Sequence, residues 1–263
     1  MNSRLTNVRA VVTRAKDQAE AFSSLLEGAG IKVIHFPTIE FSEPDDLSAI
    51  NGAIDDLKKN KNAFAWIIFT SANGVKFFMK RLTALGADNS LLDSVRVAVV
   101  GPKTKEALEK LGVRVDLVPK DFRAEGLLES LFEEGVKGKR ILIPRALYGR
   151  AVLIDTLENN GADVTLAPVY ETVTPKGMNK DDILSKLDEG LELVLTFTSG
   201  STVRNFLALF DESEREKIKE SIKIAVISPV TKGVLDKAGY SVDIMPEVYT
   251  ANNLANAILE YYK

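Results

Sequence analysis

Short runs of β-branched and aliphatic residues alternate along the chain with longer segments in which apolar residues recur every three or four positions. That alternation marks βα units feeding a parallel sheet. Strands are expected at 8–13, 32–36, 65–70, 95–100, 113–118, 139–144, 164–167, 193–198, 223–228 and 241–245. Most of these runs are apolar throughout, so neither sheet face meets water and helices must cover both. Helical stripes lie between them: Ala19, Phe22, Leu26 and Ala29; Val75, Phe78, Met79, Leu82 and Leu85; Leu108 and Leu111; Val203, Phe206, Leu207 and Phe210; Leu254, Ala257, Ile258 and Tyr261. Glycines stand where a left-handed residue would end such helical segments, at Gly28 or Gly30, Gly86, Gly112, Gly161 and Gly239.

The pattern is written twice. Val8-Arg-Ala-Val-Val-Thr-Arg-Ala15 returns as Lys139-Arg-Ile-Leu-Ile-Pro-Arg-Ala146, Phe69-Thr-Ser-Ala-Asn-Gly-Val75 as Phe197-Thr-Ser-Gly-Ser-Thr-Val203, and Val97-Ala-Val-Val-Gly-Pro-Lys-Thr104 as Ile224-Ala-Val-Ile-Ser-Pro-Val-Thr231. Blocks recurring in one order, each about 130 residues from its copy, mean two similar α/β domains and not a solenoid. The repeated words are strand-end turns, and facing copies of such turns would make a cleft. Phe36-Pro-Thr-Ile-Glu-Phe41 and Ala167-Pro-Val-Tyr-Glu-Thr172 occupy matching places, each with a proline in an extended context suited to crossing from one sheet to the other. Periodicity leaves open whether the domains are consecutive or exchange their first units.

Composition narrows the chemistry. A formal charge of −3 on 263 residues argues against a broad nucleic-acid or anionic-membrane surface, so an anionic ligand must be met locally. No cysteine is present, which removes thiolate catalysis, disulfides and thiolate metal sites. With His35 the single histidine, a histidine metal site or a Ser-His-Asp triad is disfavoured. Arg4, Arg9, Arg14 and Lys16 break the N-terminal region, and no apolar run reaches membrane-spanning length, so a soluble cytoplasmic protein is expected.

Thr70-Ser71-Ala72-Asn73 and Thr198-Ser199-Gly200-Ser201 each join a strand to a helical stripe, placing unpaired amides and a partial positive charge at a helix N-terminus. Each alone reads as an ordinary N-cap, and their occurrence as a pair favours the alternative, a carboxylate or phosphate cradle. Gly101-Pro102-Lys103-Thr104 and Ser228-Pro-Val-Thr231 repeat the design with proline at the first helical position. Neither is a Walker loop, and no Gly-x-Gly-x-x-Gly follows a strand. Arg14 and Arg145 stand just past equivalent strands and Arg150 in the next turn, where a planar fork could pair with carboxylates. Tyr170 lies in a crossing segment, and its phenol could donate a hydrogen bond or a proton. His35 is expected to be a strand residue, since nothing identifiable orients it.

The ordered set Thr13-Arg14, Phe69-Thr-Ser-Ala-Asn73, Val100-Gly-Pro-Lys-Thr104, the arginine turn 145–150, Val169-Tyr-Glu-Thr172, Phe197-Thr-Ser199 and Pro229-Val-Thr231 resembles the uroporphyrinogen-III synthase family over essentially the whole chain. The resemblance implies two flavodoxin-like three-layer domains with parallel sheets joined by a two-stranded ladder. Residues 1–38 and 173–263 would form one domain, 42–167 the inserted one, and 39–41 with 168–172 the crossing strands. It implies cyclisation of hydroxymethylbilane to uroporphyrinogen III, with loss of water and inversion of the last ring, in tetrapyrrole biosynthesis. Neither cofactor nor metal is implied. Tyr170 would assist departure of the hydroxyl, and Thr13, Arg14, Ser71, Ala72, Asn73, Gly101, Pro102, Lys103, Thr104, Arg145, Arg150, Ser199, Gly200, Ser201, Ser228 and Thr231 would hold substrate. One departure is Ser228, where the family more often has glycine, which puts the backbone approach to ligand there in question. The chain is expected to be a monomer with a small-molecule substrate and no nucleic-acid or membrane partner, leaving room for transient contact with the enzyme that makes hydroxymethylbilane. The alternative class is a two-domain binding or sensor protein of periplasmic-binding-protein type.

Overall fold

The computed structural model describes residues 5–149 and 151–263. Along the chain run β1 (Val8–Val12), α1 (Lys16–Gly28), β2 (Lys32–His35), β3 (Glu40–Ser42), α2 (Ser48–Lys59), β4 (Trp66–Phe69), α3 (Ala72–Ala84), β5 (Arg96–Val99), α4 (Pro102–Glu109) and α5 (Ala124–Glu133). Then follow β6 (Arg140–Ala146), α6 (Val152–Asn159), β7 (Asp163–Val173), α7 (Asp181–Asp188), β8 (Glu192–Phe197), α8 (Gly200–Leu207), α9 (Glu212–Ser221), β9 (Ile222–Val226), α10 (Pro229–Lys237) and α11 (Ala251–Tyr261). Contacts divide the chain into one unit of Met1–Glu40 with Val173–Lys263 and another of Phe41–Thr172. Among the described residues, no helix is long and apolar enough to cross a membrane.

In the first unit the strand order is β2-β1-β8-β9, all parallel. In the second it is β3-β7-β6-β4-β5, and the β7-β6, β6-β4 and β4-β5 pairs are parallel. With β1 matched to β6, β2 to β7, β8 to β4 and β9 to β5, the two orders coincide, as the repeated sequence blocks require. The first unit reads 2-1-3-4 in its own chain order, the core of a flavodoxin-like sheet, and the second has the same spatial arrangement with its strands met in the permuted chain order 4-3-1-2.

Strand residues point alternately to opposite faces, and in each unit both faces are buried. In the second unit Ile67, Phe69, Val97, Val99 and Leu142 pack with α2, α3 and α4 residues such as Ile54, Phe78 and Leu108. The opposite face offers Trp66, Ile68, Ile141 and Ile143 to Leu127, Leu131 and Leu157 of α5 and α6. The first unit repeats this, with Leu193, Leu195, Phe197 and Ile224 against Val203, Phe206 and Leu235, and Val8, Ala10, Val12 and Val194 against Phe22, Leu26, Leu254 and Ile258.

Two expected strands do not form. The runs 113–118 and 241–245 contribute one parallel pairing each, Ala98 with Leu117 and Ala225 with Ile244. The cause is the same in both copies. A carboxylate takes the amide that a ladder would use: Val97 N–H donates to Asp116 Oδ2 and Ile224 N–H to Asp243 Oδ2, each at 2.8 Å. The run expected at 164–167 instead continues as β7 to Val173. Pro168 lacks a donor there, and the β6–β7 register shifts at the same level, between Arg145 and Ala146.

Candidate active site

A parallel sheet sends all its strand C-termini to one edge, and the crevice there is deepest where strand order reverses. In the second unit that point lies between β6 and β4, which brings the end of β6, bearing Arg145, beside the turn after β4, bearing Ser71. In the first unit it lies between β1 and β8, where Arg14 follows β1 and Ser199 follows β8.

Four helices open at these edges with nearly identical caps. Ser71, Gly101, Ser199 and Ser228 precede α3, α4, α8 and α10 with φ of −156°, −163°, −161° and −159°. The serine hydroxyls accept from the amides of Gly74, Thr202 and Thr231. Because φ at Ser228 is ordinary extended backbone, serine in place of glycine strains nothing and adds a cap. Pro102 and Pro229 occupy the first turns. Ala72 and Lys103 are exposed and Asn73 is half-buried. Gly200 is bare for packing: a Cβ there would lie 2.9 Å from Val234 Cγ2. Ser201 is half-buried and its Oγ accepts from Arg204 at 3.3 Å.

Three threonines expected to face ligand do not. Thr13 is fully buried, and its hydroxyl donates to the Thr196 carbonyl at 2.6 Å, while Thr196 Oγ1 donates to Val11 O at 3.0 Å. These bonds stitch β1 to β8 and spend the hydroxyl that a ligand would use. Thr104 and Thr231 are buried too, under their own first turns. Their contribution is to the shape of the turns. Arg150 lies outside the described residues. His35 ends β2, exposed and paired in register with Val12.

Tyr170 is the pivot of the second unit. It sits on β7 opposite Ala146, and Leu147 N–H donates to its carbonyl at 2.7 Å. Its ring is 9% exposed, stacked on Phe77 at 5.5 Å and met edge-on by Phe41 at 5.8 Å. Its hydroxyl lies 3.2 Å from Ser71 Oγ, a pair in which either oxygen can donate, and Ser71 Oγ accepts from Gly74 N–H at 3.0 Å. The oxygen of the α3 cap therefore fixes the phenol's direction. Beside it opens a cavity of about 600 Å³, lined by Thr70, Arg145, Tyr148, Gly149, Phe122 and Tyr170 among others, within the range of small-molecule sites. Gly149 leaves room for the Arg145 guanidinium, which a Cβ at that position would overlap.

Arg14 holds the corresponding place in the first unit. It is half-buried, its Nε is buried without a hydrogen-bond partner, and burial pulls its pKa below the ordinary guanidinium value. Such a group costs stability until an anion meets it. We expect Arg14→Met to leave the thermal midpoint unchanged or higher while reducing the extra heat resistance conferred by bound product, a pair of results that differential scanning calorimetry with and without product would check. Lower intrinsic stability with unchanged protection would make Arg14 structural.

Sequence reasoning did not anticipate Phe122, Arg123 or Tyr148 at the cavity. A signal existed. Val115-Asp-Leu-Val-Pro119-Lys-Asp-Phe122 has its own copy in Val242-Asp-Ile-Met-Pro246-Glu-Val-Tyr249.

Comparison with known proteins places these features in a family. The family model described as uroporphyrinogen-III synthase HemD matches residues 20–256. The uroporphyrinogen-III synthase of Chlorobaculum parvum is 34% identical over 254 residues, covering 96% of this chain and 98% of that protein. That of Synechococcus elongatus is 33% identical over 258 residues, covering 95% and 94%. Among solved structures, the uroporphyrinogen III synthase of Thermus thermophilus matches with a TM-score of 0.61 at 18% identity over 97% of both chains, and the Helicobacter pylori enzyme with 0.61 at 20% identity over 97% and 98%. At those identities the structures speak for the fold, while the sequence matches run nearly end to end through both copies of the repeat; the chain belongs to the uroporphyrinogen-III synthase family.

Proposed function

We propose that this chain closes linear hydroxymethylbilane to uroporphyrinogen III, and that Tyr170 and the four capped turns are the parts that act on substrate. The observation that carries the site is the Tyr170 hydroxyl, 3.2 Å from Ser71 Oγ at the mouth of a cavity. With the Ser71 hydroxyl donating to the phenol oxygen, the phenol's own proton is left for the departing hydroxyl of the substrate. The C–O bond breaks, water leaves with that proton, and the azafulvenium cation left behind is stabilised by its own pyrroles. Attack by the substituted carbon of the last ring forms a C–C bond and a spiro intermediate. The bond from the spiro carbon to the methylene leading to the third ring then breaks, that methylene closes onto the unsubstituted α-carbon of the last ring, and the proton lost from this carbon restores the phenol. The protein's task is mainly to hold the bent chain in one geometry.

Eight substrate carboxylates match a protein that is acidic overall but offers amide-rich turns. Carboxylate contacts are assigned to the α3 and α4 turns with Arg145 in the second unit, and to the α8 and α10 turns with Arg14 in the first. Each exposed amide contributes on the order of 1 kcal/mol, and each guanidinium fork more. With the reading go a cytoplasmic monomer and room for transient contact with the enzyme that makes the substrate.

Freshly generated hydroxymethylbilane incubated with chelator-treated protein should give mainly the type III isomer on oxidation and chromatography. If only type I forms, as in buffer alone, the reading is wrong.

A further inference from the structure

An exposed large apolar side chain is informative when it recurs at a fixed place in the fold. Phe122 is 55% exposed and so is Tyr249, its counterpart in the other copy of the repeat. Each directly precedes a helix cap, Arg123 for α5 and Thr250 for α11, and each stands three positions after a proline, Pro119 or Pro246. The duplication has kept an aromatic ring at this position twice and buried it neither time.

In the second unit the ring has a setting. Phe122 lines the cavity that holds Tyr170 and Arg145. Its Cβ stands 3.6 Å from where a side chain would begin at Gly101, within van der Waals reach of the α4 cap. The neighbouring Arg123 guanidinium is already engaged by Asp121, with Nε 2.9 Å from Oδ1, and Phe122 is the phenylalanine among the apolar residues of this wall, which include Val100, Ile143 and Leu153. Tyr148, 78% exposed, and Val152, 48% exposed, add to the apolar rim.

A carboxylated pyrrole has flat apolar faces and anionic arms at its edge, and this wall has an aromatic ring beside an amide-rich helix start and an arginine. We propose that Phe122 is a substrate-positioning residue, packing its ring on the face of one pyrrole while the arms of that pyrrole reach the α4 turn and Arg145. This rests on the ring-closure reading for the identity of the ligand, and it names the group that fixes where a pyrrole lies relative to Tyr170.

The test uses the full chain and two probes. Uroporphyrin III, a stable coloured octacarboxylate, reports binding by fluorescence quenching; hydroxymethylbilane reports turnover and isomer ratio. Phe122→Ala should weaken uroporphyrin III binding and raise KM by ~10-fold, with kcat changed much less and the thermal midpoint unmoved because the side chain is exposed. Phe122→Trp or Phe122→Tyr should restore both, whereas Phe122→Leu should not. Unchanged binding in Phe122→Ala, or equal losses in the aromatic and alanine variants, would overturn the assignment. Should the wild-type chain bind uroporphyrin III in a Phe122-dependent way yet form no type III isomer, the ring-closure reading falls and the pyrrole subsite stands.

Discussion

Replacing Tyr170 by phenylalanine should lower turnover by ~10²–10⁴-fold, the usual contribution of a positioned general acid, with little loss of stability. The ring is retained, so its stack on Phe77 and its edge contact with Phe41 survive. Only the hydroxyl goes, and its partner Ser71 Oγ keeps the Gly74 amide as a donor, so no buried group is orphaned. A change in unfolding free energy within about 1 kcal/mol is expected. Tyr170→Ala would be a poor test, because deleting a ring only 9% exposed within this aromatic cluster costs several kcal/mol, about 3–5 for a buried aromatic, and confounds folding with chemistry. Single-turnover rates with fresh hydroxymethylbilane, set beside urea unfolding, separate the two. Turnover in Tyr170→Phe equal to wild type would reduce the residue to packing, and a drop of only a few-fold would mean that water or a substrate carboxylate supplies the proton.

Ser71→Ala has a mixed outcome by the same logic. The substitution removes both the α3 cap and the group that aims the phenol, so stability and turnover should fall together. That coupling of cap and catalyst could not be read from the sequence, in which Ser71 and Tyr170 are 99 residues apart.

What could be read was whatever depends on period and repetition. Uniformly apolar runs gave β1, β4, β5, β6, β8 and β9 to within two residues at each end, because a strand covered on both faces leaves no ambiguity about which residues are buried. The mixed runs 113–118 and 241–245 were read as strands as well and do not form them. There Asp116 and Asp243 compete with the backbone for a single amide, and hydropathy does not register a side chain acting as a ladder acceptor. The strand-end positions of Arg14 and Arg145 and the serine caps were legible because they came in pairs. Thr13 was misjudged since a residue at a strand's end can face either the crevice or the neighbouring strand, and only the three-dimensional course of β8 decides. Phe122 was passed over because it follows a run taken for a strand and matches its copy by character, aromatic to aromatic, and not by identity.

Excising residues 41–172 should yield a fragment that folds cooperatively alone, whereas residues 1–134, the simple front half, should not. We propose this on sheet order. The fragment 41–172 contains β4, β5 and β6, nearly all of β7, and the helices α2 to α6 that cover both faces, so Ile67, Leu142 and Ile143 would find their partners within it. The front half cuts both sheets through the middle. It retains β1 and β2 but lacks β8, which pairs with β1 along residues 8–12, and it retains β4 and β5 but lacks β6, which lies between β4 and β7. Two unpaired parallel edges would be bared, along with Val8, Ala10, Trp66 and Ile68, all at most 2% exposed in the whole chain. Edges and apolar faces of that kind aggregate. A sigmoidal urea transition for 41–172 with retained near-ultraviolet dichroism from Trp66, against aggregation or a broad transition for 1–134, is the expected pair of results. A cooperative 1–134 beside an unfolded 41–172 would mean that the domains follow one another along the chain and do not exchange their first units.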